Sequence, residues 1–164
     1  MLLRPLVPSD ADALAETLCD RENMRFYPAP FSRADVDAWI EKCGWRYREH
    51  GLGLWALIVK ETGELAGDCG LMRQVVDGVT ETEVGYHLAR RFQGQGLATE
   101  AARAWLDYGF QDLHLPRITS LILPENLPSR RVAERNGLVV ERETIWAGLP
   151  HLIYVAAPPS KVQP

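Results

Sequence analysis

Three strand-like segments joined by tight turns occupy the middle of this sequence. The stretch LWALIVKETGELAGDCGLMRQV contains two apolar runs around a turn at Thr62–Gly63, a pattern typical of an antiparallel hairpin with one buried face. A second turn at Asp77–Gly78 leads into TETEVGYHLA, in which apolar residues alternate with others as in a strand. Consecutive hairpins require antiparallel pairing, so the strict strand and helix alternation of a doubly wound fold is excluded.

Helical patterns lie on both sides of this strand-rich segment. Their boundaries are marked by N-cap residues, by glycines suited to a left-handed C-terminal position and by prolines. The first half is expected to contain a strand in LLRPLV, a helix capped by Ser9 or Asp10, a helix between Ser32 and Gly51, and the three strands between Leu54 and Ala89. The second half is expected to contain a helix from Gly96 to a point before Pro116, a strand in RITSLIL, a short helix over PSRRVAERN ended by Gly137, and strands in LVVERETIW and HLIYVAA.

The predicted element order is β-α-α-β-β-β-α-β-α-β-β. We therefore predict an α+β fold, with a mixed, mostly antiparallel central sheet flanked by helices. A length of 164 residues suits one hydrophobic core. Residues 1–157 are accordingly expected to form a single domain, and residues 158–164, PPSKVQP, a flexible C-terminal tail.

The composition narrows the possible partners and locations. With 46% hydrophobic and 24% charged residues the chain is an ordinary globular protein, and its net charge of −4 argues against nucleic acid as a partner. There is no basic apolar leader and no run of about 18 apolar residues, so we expect neither secretion nor membrane insertion but a cytoplasmic protein. Cys19, Cys43 and Cys69 are widely spaced, which predicts reduced thiols and no metal site.

A glycine-rich loop stands between the third strand and the third predicted helix. In Arg91–Gly96, RFQGQG, the backbone N–H groups can share a space with the positive end of the helix dipole, an arrangement that binds anions. The loop is not a Walker A motif, because no Lys-Ser/Thr pair follows it. It also fails the dinucleotide fingerprint, because Thr99 stands where a third glycine belongs. The loop alone leaves two interpretations open, a phosphate site and a plain glycine turn.

A second motif, further along the chain, connects the loop to a known family. R-x-x-G-x-G is followed by ENLPSRRVAERNGL, in which N-x-x-S opens a short helix and A-E-R-N-G-L closes it. Together these motifs resemble the GNAT superfamily of acyl-CoA-dependent N-acyltransferases, most closely its branch of RimJ/RimL-type ribosomal-protein N-terminal acetyltransferases. LLRPLVPSDADAL and LWALIVKETGELAGDCGL are similar to the family's opening segment and central hairpin, so the resemblance covers nearly the whole chain. It implies a GNAT-like fold and acetyl-CoA (coenzyme A) as co-substrate, without a metal.

The resemblance also implies where coenzyme A would bind. The backbone of Arg91–Gly96 would hold the pyrophosphate, and pantetheine would lie between strands that end near Leu88 and Leu123. Gly85 would mark either a bulge where these strands separate or a packing gap. The implied cofactor-binding residues are Tyr86, His87, Leu88, Arg91, Phe92, Gln93, Gly94, Gln95, Gly96, Leu97, Ala98, Asn126, Ser129 and Arg130.

Two side chains are expected to carry the chemistry. Glu83 is the first candidate for the general base, with His87 on the same face as the second, while a solvated edge carboxylate is the alternative for Glu83. Many GNAT enzymes have a tyrosine seven residues after the asparagine of the short helix, and here that position is Ala133. The resembling branch places a serine nearby instead, so Ser129 would donate a hydrogen bond to the leaving thiolate, or would only cap the helix with Asn126.

Other groups are expected around these two. Backbone N–H groups near Tyr86–Leu88 would polarise the thioester carbonyl. Arg90, Arg130 and Arg131 would either bind the 3′-phosphate or form a solvated face.

The resemblance predicts an N-acetyltransferase that moves acetyl from acetyl-CoA to a primary amine by direct attack. Tyr27, in the loop RENMRFYPAPF, and Glu83 would contact the acceptor, which is a protein N-terminus or a small amine. The overall acidity favours a cationic acceptor, and the chain is expected to be a monomer or homodimer. The alternative is a catalytically weak acyl-CoA-binding or sensing domain.

Overall fold

The computed structural model describes residues 1–158 and confirms the predicted order of helices and strands. Most of the predicted tail, residues 159–164, lies outside the described residues. A 3₁₀ turn precedes the first α-helix and another precedes the third. The elements are β1 (Leu2–Pro5), α1 (Ala11–Leu18), α2 (Arg33–His50), β2 (Gly53–Ile58), β3 (Leu65–Val76), β4 (Val79–Leu88), α3 (Leu97–Gln111), β5 (Ile118–Ile122), α4 (Leu127–Arg135), β6 (Val139–Trp146) and β7 (Leu149–Ala156).

The strands form one mixed sheet in the order β1-β2-β3-β4-β5-β7-β6. β4 and β5 are parallel, and the other neighbouring strands are antiparallel. β4 and β5 pair at Glu83 and Thr119, and the Ser120 hydroxyl donates to the Val84 carbonyl at 3.1 Å. Beyond this point a pocket is lined by residues of both strands, so the strands separate toward their C-terminal ends.

The core is divided between the two faces of the sheet. α1 and α2 cover one face, where Leu14 and Ile40 pack with Leu54 of β2. α3 covers the other, where Trp105 packs with Val84 of β4. Because side chains alternate along a strand, the polar residues of β4 that alternate with Val84 face α1 and α2.

Local signals explain most helix ends. Ser32 caps α2, since its hydroxyl accepts from the Asp35 N–H, and Gly51 ends that helix with φ of 65°. Asp10 does not cap α1 with its side chain. The extra 3₁₀ turn instead directs its carboxylate back to the Val7 N–H, at 2.9 Å, and to the Arg4 guanidinium, at 2.7 Å. Among the described helices, none is long and apolar enough to cross a membrane.

Candidate active site

A cavity of about 440 Å³ lies beside the C-terminal end of β4, between the first turns of α3 and α4. It brings together the loop after α1, the end of β4, the glycine loop and α4. We refer to it as the cofactor cavity. The residues expected at the site that line it are Tyr27, Tyr86, His87, Leu88, Phe92, Gln93, Gly94, Gly96, Leu97, Ala98, Asn126 and Ser129.

The glycine loop presents a helix N-terminus to this cavity. Gly94 and Gly96 have φ values of 75° and 83°, in the left-handed region that favours glycine, and Gly96 is the N-cap of α3. The first N–H groups of an α-helix have no intrahelical acceptor. The Gln93 side chain fixes the loop by donating to the Leu88 carbonyl at 3.0 Å. This end of the cavity is therefore suited to a phosphate group.

Arginine side chains add positive charge around the same end. Arg25, Arg90, Arg131 and Arg135 line the cavity, with Glu22 an acidic side chain in its wall. Arg131 and Arg135 are one helical turn apart on α4 and so share its cavity face. The chain carries a net charge of −4, yet this cavity is locally suited to an anion.

Three side chains expected near the cofactor lie outside the cavity wall. The Arg91 guanidinium pairs with Glu16 and lies over the Phe92 ring, so this residue can contribute only its backbone to the loop. Gln95 donates to the Arg91 carbonyl at 2.8 Å. The Arg130 guanidinium donates to the Tyr154 hydroxyl, at 3.0 Å, and to a carbonyl before α4, so in this structure its contacts lie outside the cavity.

A second pocket, of about 60 Å³, contains Glu83. We call it the inner pocket. It shares Tyr27, Tyr86, Asn126 and Ser129 with the cofactor cavity, so these four residues lie at the junction of the two spaces. A group at the end of the cofactor cavity would therefore face the carboxylate.

Glu83 is not the solvated edge carboxylate of the alternative interpretation. β4 lies inside the sheet, and Glu83 is only 8% exposed. Burial raises the pKa of its carboxyl to about 7, although the Leu121 N–H, which donates to Oε1 at 3.1 Å, acts in the opposite direction. Glu81 is also buried, but it pairs with Arg117 at 3.2 Å. Glu83 thus combines burial with access to a pocket, as a general base requires.

His87 belongs to a hydrogen-bonded chain that the sequence analysis did not identify. Its Nδ1 lies 2.7 Å from Asp68 Oδ1, its Nε2 lies 2.7 Å from the Tyr27 hydroxyl, and Trp39 Nε1 donates to Asp68 Oδ2 at 2.9 Å. Burial alone would lower the pKa of His87, but the charge and hydrogen bond of Asp68, with a contribution from Glu83, raise it.

A signal for the Asp68–His87 contact was present in the sequence. The two residues are directly opposite in the β3–β4 register, and they are equally far from the two-residue turn at Asp77–Gly78. Because turn length sets hairpin register, counting back from this turn pairs them.

Asn126 and Ser129 define the start of α4. Asn126 Oδ1 accepts from the Ser129 N–H at 3.3 Å, so Asn126 is the cap of this helix. The Ser129 carbonyl accepts from the Tyr86 hydroxyl at 2.9 Å, which fixes the first turn of α4 against β4. The Ser129 hydroxyl is not needed for the cap, and the residue lines both spaces.

Gly85 marks close packing rather than a bulge. The β3–β4 register runs through Gly85 without a shift, and a Cβ there would lie 2.8 Å from the Met72 methyl carbon. The residues that the structure describes contain no group of three metal-ligating side chains.

Comparison with known proteins identifies the family. The model of the GNAT acetyltransferase domain matches residues 1–139. A curated relative from Bacillus licheniformis, named as the uncharacterized N-acetyltransferase p20, is 33% identical over 146 residues, which are 87% of this chain and 80% of the relative.

Solved structures share the whole architecture. An acetyltransferase from Agrobacterium tumefaciens strain C58 superposes with a TM-score of 0.81 at 27% identity, over 94% of this chain and 88% of that one. RimL, a ribosomal L7/L12 alpha-N-protein acetyltransferase in complex with coenzyme A, has the same fold, with a TM-score of 0.79 at 18% identity over 95% and 93% of the two chains. The family match and the identity to p20 together show that this chain belongs to the GNAT acetyltransferase family.

Proposed function

We propose that this protein transfers the acetyl group of acetyl-CoA to a primary amine by direct attack in a ternary complex. One observation carries the proposal: a cavity with an anion-binding helix N-terminus meets a pocket that contains the buried Glu83 carboxylate. Family membership supports acetyl transfer as the reaction. We expect residues 1–157 to act as one cytoplasmic domain, monomeric or homodimeric.

Coenzyme A fits the chemistry of the cofactor cavity. The backbone N–H groups at Gly94–Ala98 would bind the pyrophosphate, and Arg131 and Arg135 would contact the 3′-phosphate, in place of the expected Arg130. Pantetheine would follow Tyr86–Leu88 to the junction. A volume of about 440 Å³ is within the usual range for small-molecule sites, and the coenzyme A reported for RimL supports the assignment.

The proposed mechanism uses Glu83 as the general base. An amine is largely protonated at neutral pH, and a carboxylate with a pKa of about 7 can accept its proton directly or through water. The N–H groups near Tyr86–Leu88 would stabilise the developing oxyanion. The Ser129 hydroxyl would donate a hydrogen bond to sulfur at the junction.

The acceptor is proposed to be a cationic amine, either a protein N-terminus or a small molecule. Tyr27 and Glu83 line the inner pocket, where a carboxylate and a phenol favour an ammonium group over an anion. The activity of RimL as an alpha-N-protein acetyltransferase of a ribosomal protein supports a protein N-terminus.

Calorimetry and a thiol-release assay test the proposal. Coenzyme A should bind, and acetyl-CoA should release free thiol with at least one member of a panel containing a peptide amine, a polyamine, an amino acid and an aminoglycoside. Binding of NAD but not coenzyme A would contradict the assigned cofactor. Binding of coenzyme A without thiol release on any amine would favour the sensing domain.

A further inference from the structure

Four side chains from separate elements form a hydrogen-bonded chain that the proposed mechanism does not use. Trp39 of α2 donates to Asp68 of β3, Asp68 bonds His87 of β4, and His87 bonds Tyr27 in the segment between α1 and α2. The distances are 2.9, 2.7 and 2.7 Å in that order. The chain ends at the Tyr27 hydroxyl.

Tyr27 is the member of this hydrogen-bonded series that reaches the place where the thioester would react. It lines both the cofactor cavity and the inner pocket. The residue as a whole is 44% exposed, but its hydroxyl bonds His87, whose side chain is 11% exposed. Asp68, behind His87, is completely buried. The hydrogen-bonded series Asp68–His87–Tyr27 therefore leads from the interior of the protein to the junction of the two pockets.

The direction of the Tyr27 O–H bond depends on the charge of His87. An ionised Asp68 only accepts, so Nδ1 of His87 carries a proton. When Nε2 is also protonated, it donates to the Tyr27 oxygen, and the phenolic O–H is free to point into the junction. When Nε2 is unprotonated, it accepts the phenolic proton and holds it away from the junction.

The groups around His87 favour its charged form. Asp68 from β3 and Glu83 from β4 are acidic and raise its pKa. α2 contributes the neutral Trp39 ring, which lies edge-to-face with His87 and over which the Arg46 guanidinium lies 5.5 Å from the ring centroid. The phenol at the end of the chain stays protonated, because burial and the nearby carboxylates raise its pKa.

We propose that Tyr27 is the general acid of the reaction, with its hydroxyl protonating the departing thiolate, and that His87, held by Asp68, resupplies this proton. The proposal rests on the acetyl transfer proposed above. Tyr27 is then a catalytic residue, while His87 and Asp68 are positioning residues that act through it.

The atoms and charges balance without an additional reactant. The amine lone pair forms the C–N bond, the C–S bond breaks, and its electron pair remains on sulfur. The Tyr27 proton moves to sulfur while the Nε2 proton of His87 moves to the Tyr27 oxygen. Glu83 takes the proton that nitrogen loses after attack and passes it to solvent, and the imidazole takes one proton back from solvent. An acceptor that enters as an ammonium ion first gives up one proton through Glu83 to solvent, and this is the net proton released per turnover.

The variant Tyr27→Phe tests this role against Tyr108→Phe, which removes a hydroxyl from an exposed tyrosine on α3. We expect Tyr27→Phe to lower kcat by about 100-fold, the usual contribution of a general acid, which is a much larger effect than any rise in the acceptor KM, and to leave the affinity for coenzyme A little changed. Tyr108→Phe should match the wild type in all three. Calorimetry with coenzyme A shows that each variant retains its fold.

The pH dependence distinguishes proton transfer from a structural role. In the wild type, kcat should fall as pH rises through the pKa of His87, because the relay needs the charged imidazole. Asp68→Asn removes the nearest negative charge, lowers that pKa, and should move the fall to lower pH by about one unit. Tyr27→Phe should remove this fall.

Different results would contradict Tyr27 as the general acid and acetyl transfer as the function. If the wild type is active and the kcat of Tyr27→Phe is within about twofold of the wild-type kcat, Tyr27 is not the general acid. A raised acceptor KM with unchanged kcat leads to the same conclusion and would make Tyr27 a wall of the acceptor site only. A wild type that binds coenzyme A but releases no thiol with any amine overturns the proposed function, and the general acid with it.

Discussion

Glu83 shows how the position of a strand determines the chemistry of one residue. On an edge strand this carboxylate would be solvated and acidic. On β4, between β3 and β5, it is buried and its pKa is raised to about 7. The alternation of β4 predicted the face of Glu83, but the sheet order that buries it depends on pairing between distant segments, which one sequence does not show.

Gly96 provides a test of the phosphate site at the scale of one residue. Gly96→Ala should weaken coenzyme A binding by about tenfold, about 1.4 kcal/mol, because a Cβ would hinder approach of the pyrophosphate to the α3 N-terminus. Calorimetry measures this dissociation constant.

Gly148→Ala is the matched control for this substitution. Gly148 has φ of 78° against 83° for Gly96, and a Cβ meets no atom within 4 Å at either position. Both variants should lose about 1 kcal/mol of folding stability through the left-handed backbone, but only Gly96→Ala should bind coenzyme A more weakly. Equal affinities in the two variants would contradict the loop assignment.

Individual elements were predictable where their signals are local. The Ser32 cap, the Gly51 stop and the turn at Asp77–Gly78 act within a few residues, and the structure reproduces all three. The extra 3₁₀ turn before α1, which redirects the Asp10 side chain, was not expected. Its effect depends on contacts with Arg4 and the Val7 backbone that helix periodicity does not encode.

α4 shows why the site was predicted only in part. The motif placed Asn126 and Ser129 at the start of the helix, and the structure places both at the junction. It did not indicate which arginine would face the cavity. Adjacent helical residues point about 100° apart, so Arg131 lines the cavity while Arg130 bonds Tyr154 on β7.

α3 gives a prediction at the scale of a helix. A Cβ at Gly109 would lie 2.5 Å from Ile118 Cδ1 and 3.2 Å from Leu71 Cδ1, so this glycine lets the helix pack closely on the sheet. We expect Gly109→Ala to lower the free energy of unfolding by about 1 to 3 kcal/mol through overpacking. Chemical denaturation measures the change.

Gly44→Ala, in α2, is the control for helix propensity. The nearest atom to its Cβ would be Arg48 Nη1 at 3.6 Å, so the substitution should stabilise the protein by about 0.5 to 1 kcal/mol. If both alanines stabilised the protein, the close packing of α3 would be refuted.

At the scale of the whole molecule, the candidate site lies where the gap between β4 and β5 joins the two faces of the sheet. The cofactor cavity adjoins α3, α4 and the loop after α1, whereas the Glu83 side chain lies on the face of β4 that is opposite to Val84 and turned toward α1 and α2. The separation of β4 from β5 connects the two sides through the junction residues. This arrangement keeps a carboxylate in the interior, which costs folding stability when that carboxylate is ionised.

Because burying the ionised Glu83 carboxylate is unfavourable, the folding stability should decrease as pH rises. Glu83 has a raised pKa of about 7 in the folded state against an ordinary value near 4.5 in the unfolded chain. The unfolded state therefore ionises first, and stability falls as pH rises from about 4.5 to 7, by about 3 kcal/mol in all.

Glu83→Gln should remove this loss, because an amide oxygen can still accept from the Leu121 N–H. We compare the free energy of unfolding of Glu83→Gln with that of the wild type at each pH. This difference should be about 2 kcal/mol larger at pH 8 than at pH 5. Glu49→Gln, which makes the same charge change at an exposed position, should show no such change with pH. Urea unfolding at the two pH values measures both, and equal gains at both pH values would contradict the raised pKa.

The most direct test of the account is the pH dependence of acetyl transfer by the wild type and Glu83→Gln, followed by thiol release with the best amine of the panel. In the wild type, the rate should show a rising limb centred at about pH 7, because the Glu83 carboxylate must be ionised to accept a proton, in addition to the falling limb expected from His87. Glu83→Gln should still bind coenzyme A but react at least about 100-fold more slowly, without that rise. An unchanged rate and pH profile in Glu83→Gln would show that this carboxylate is not the base.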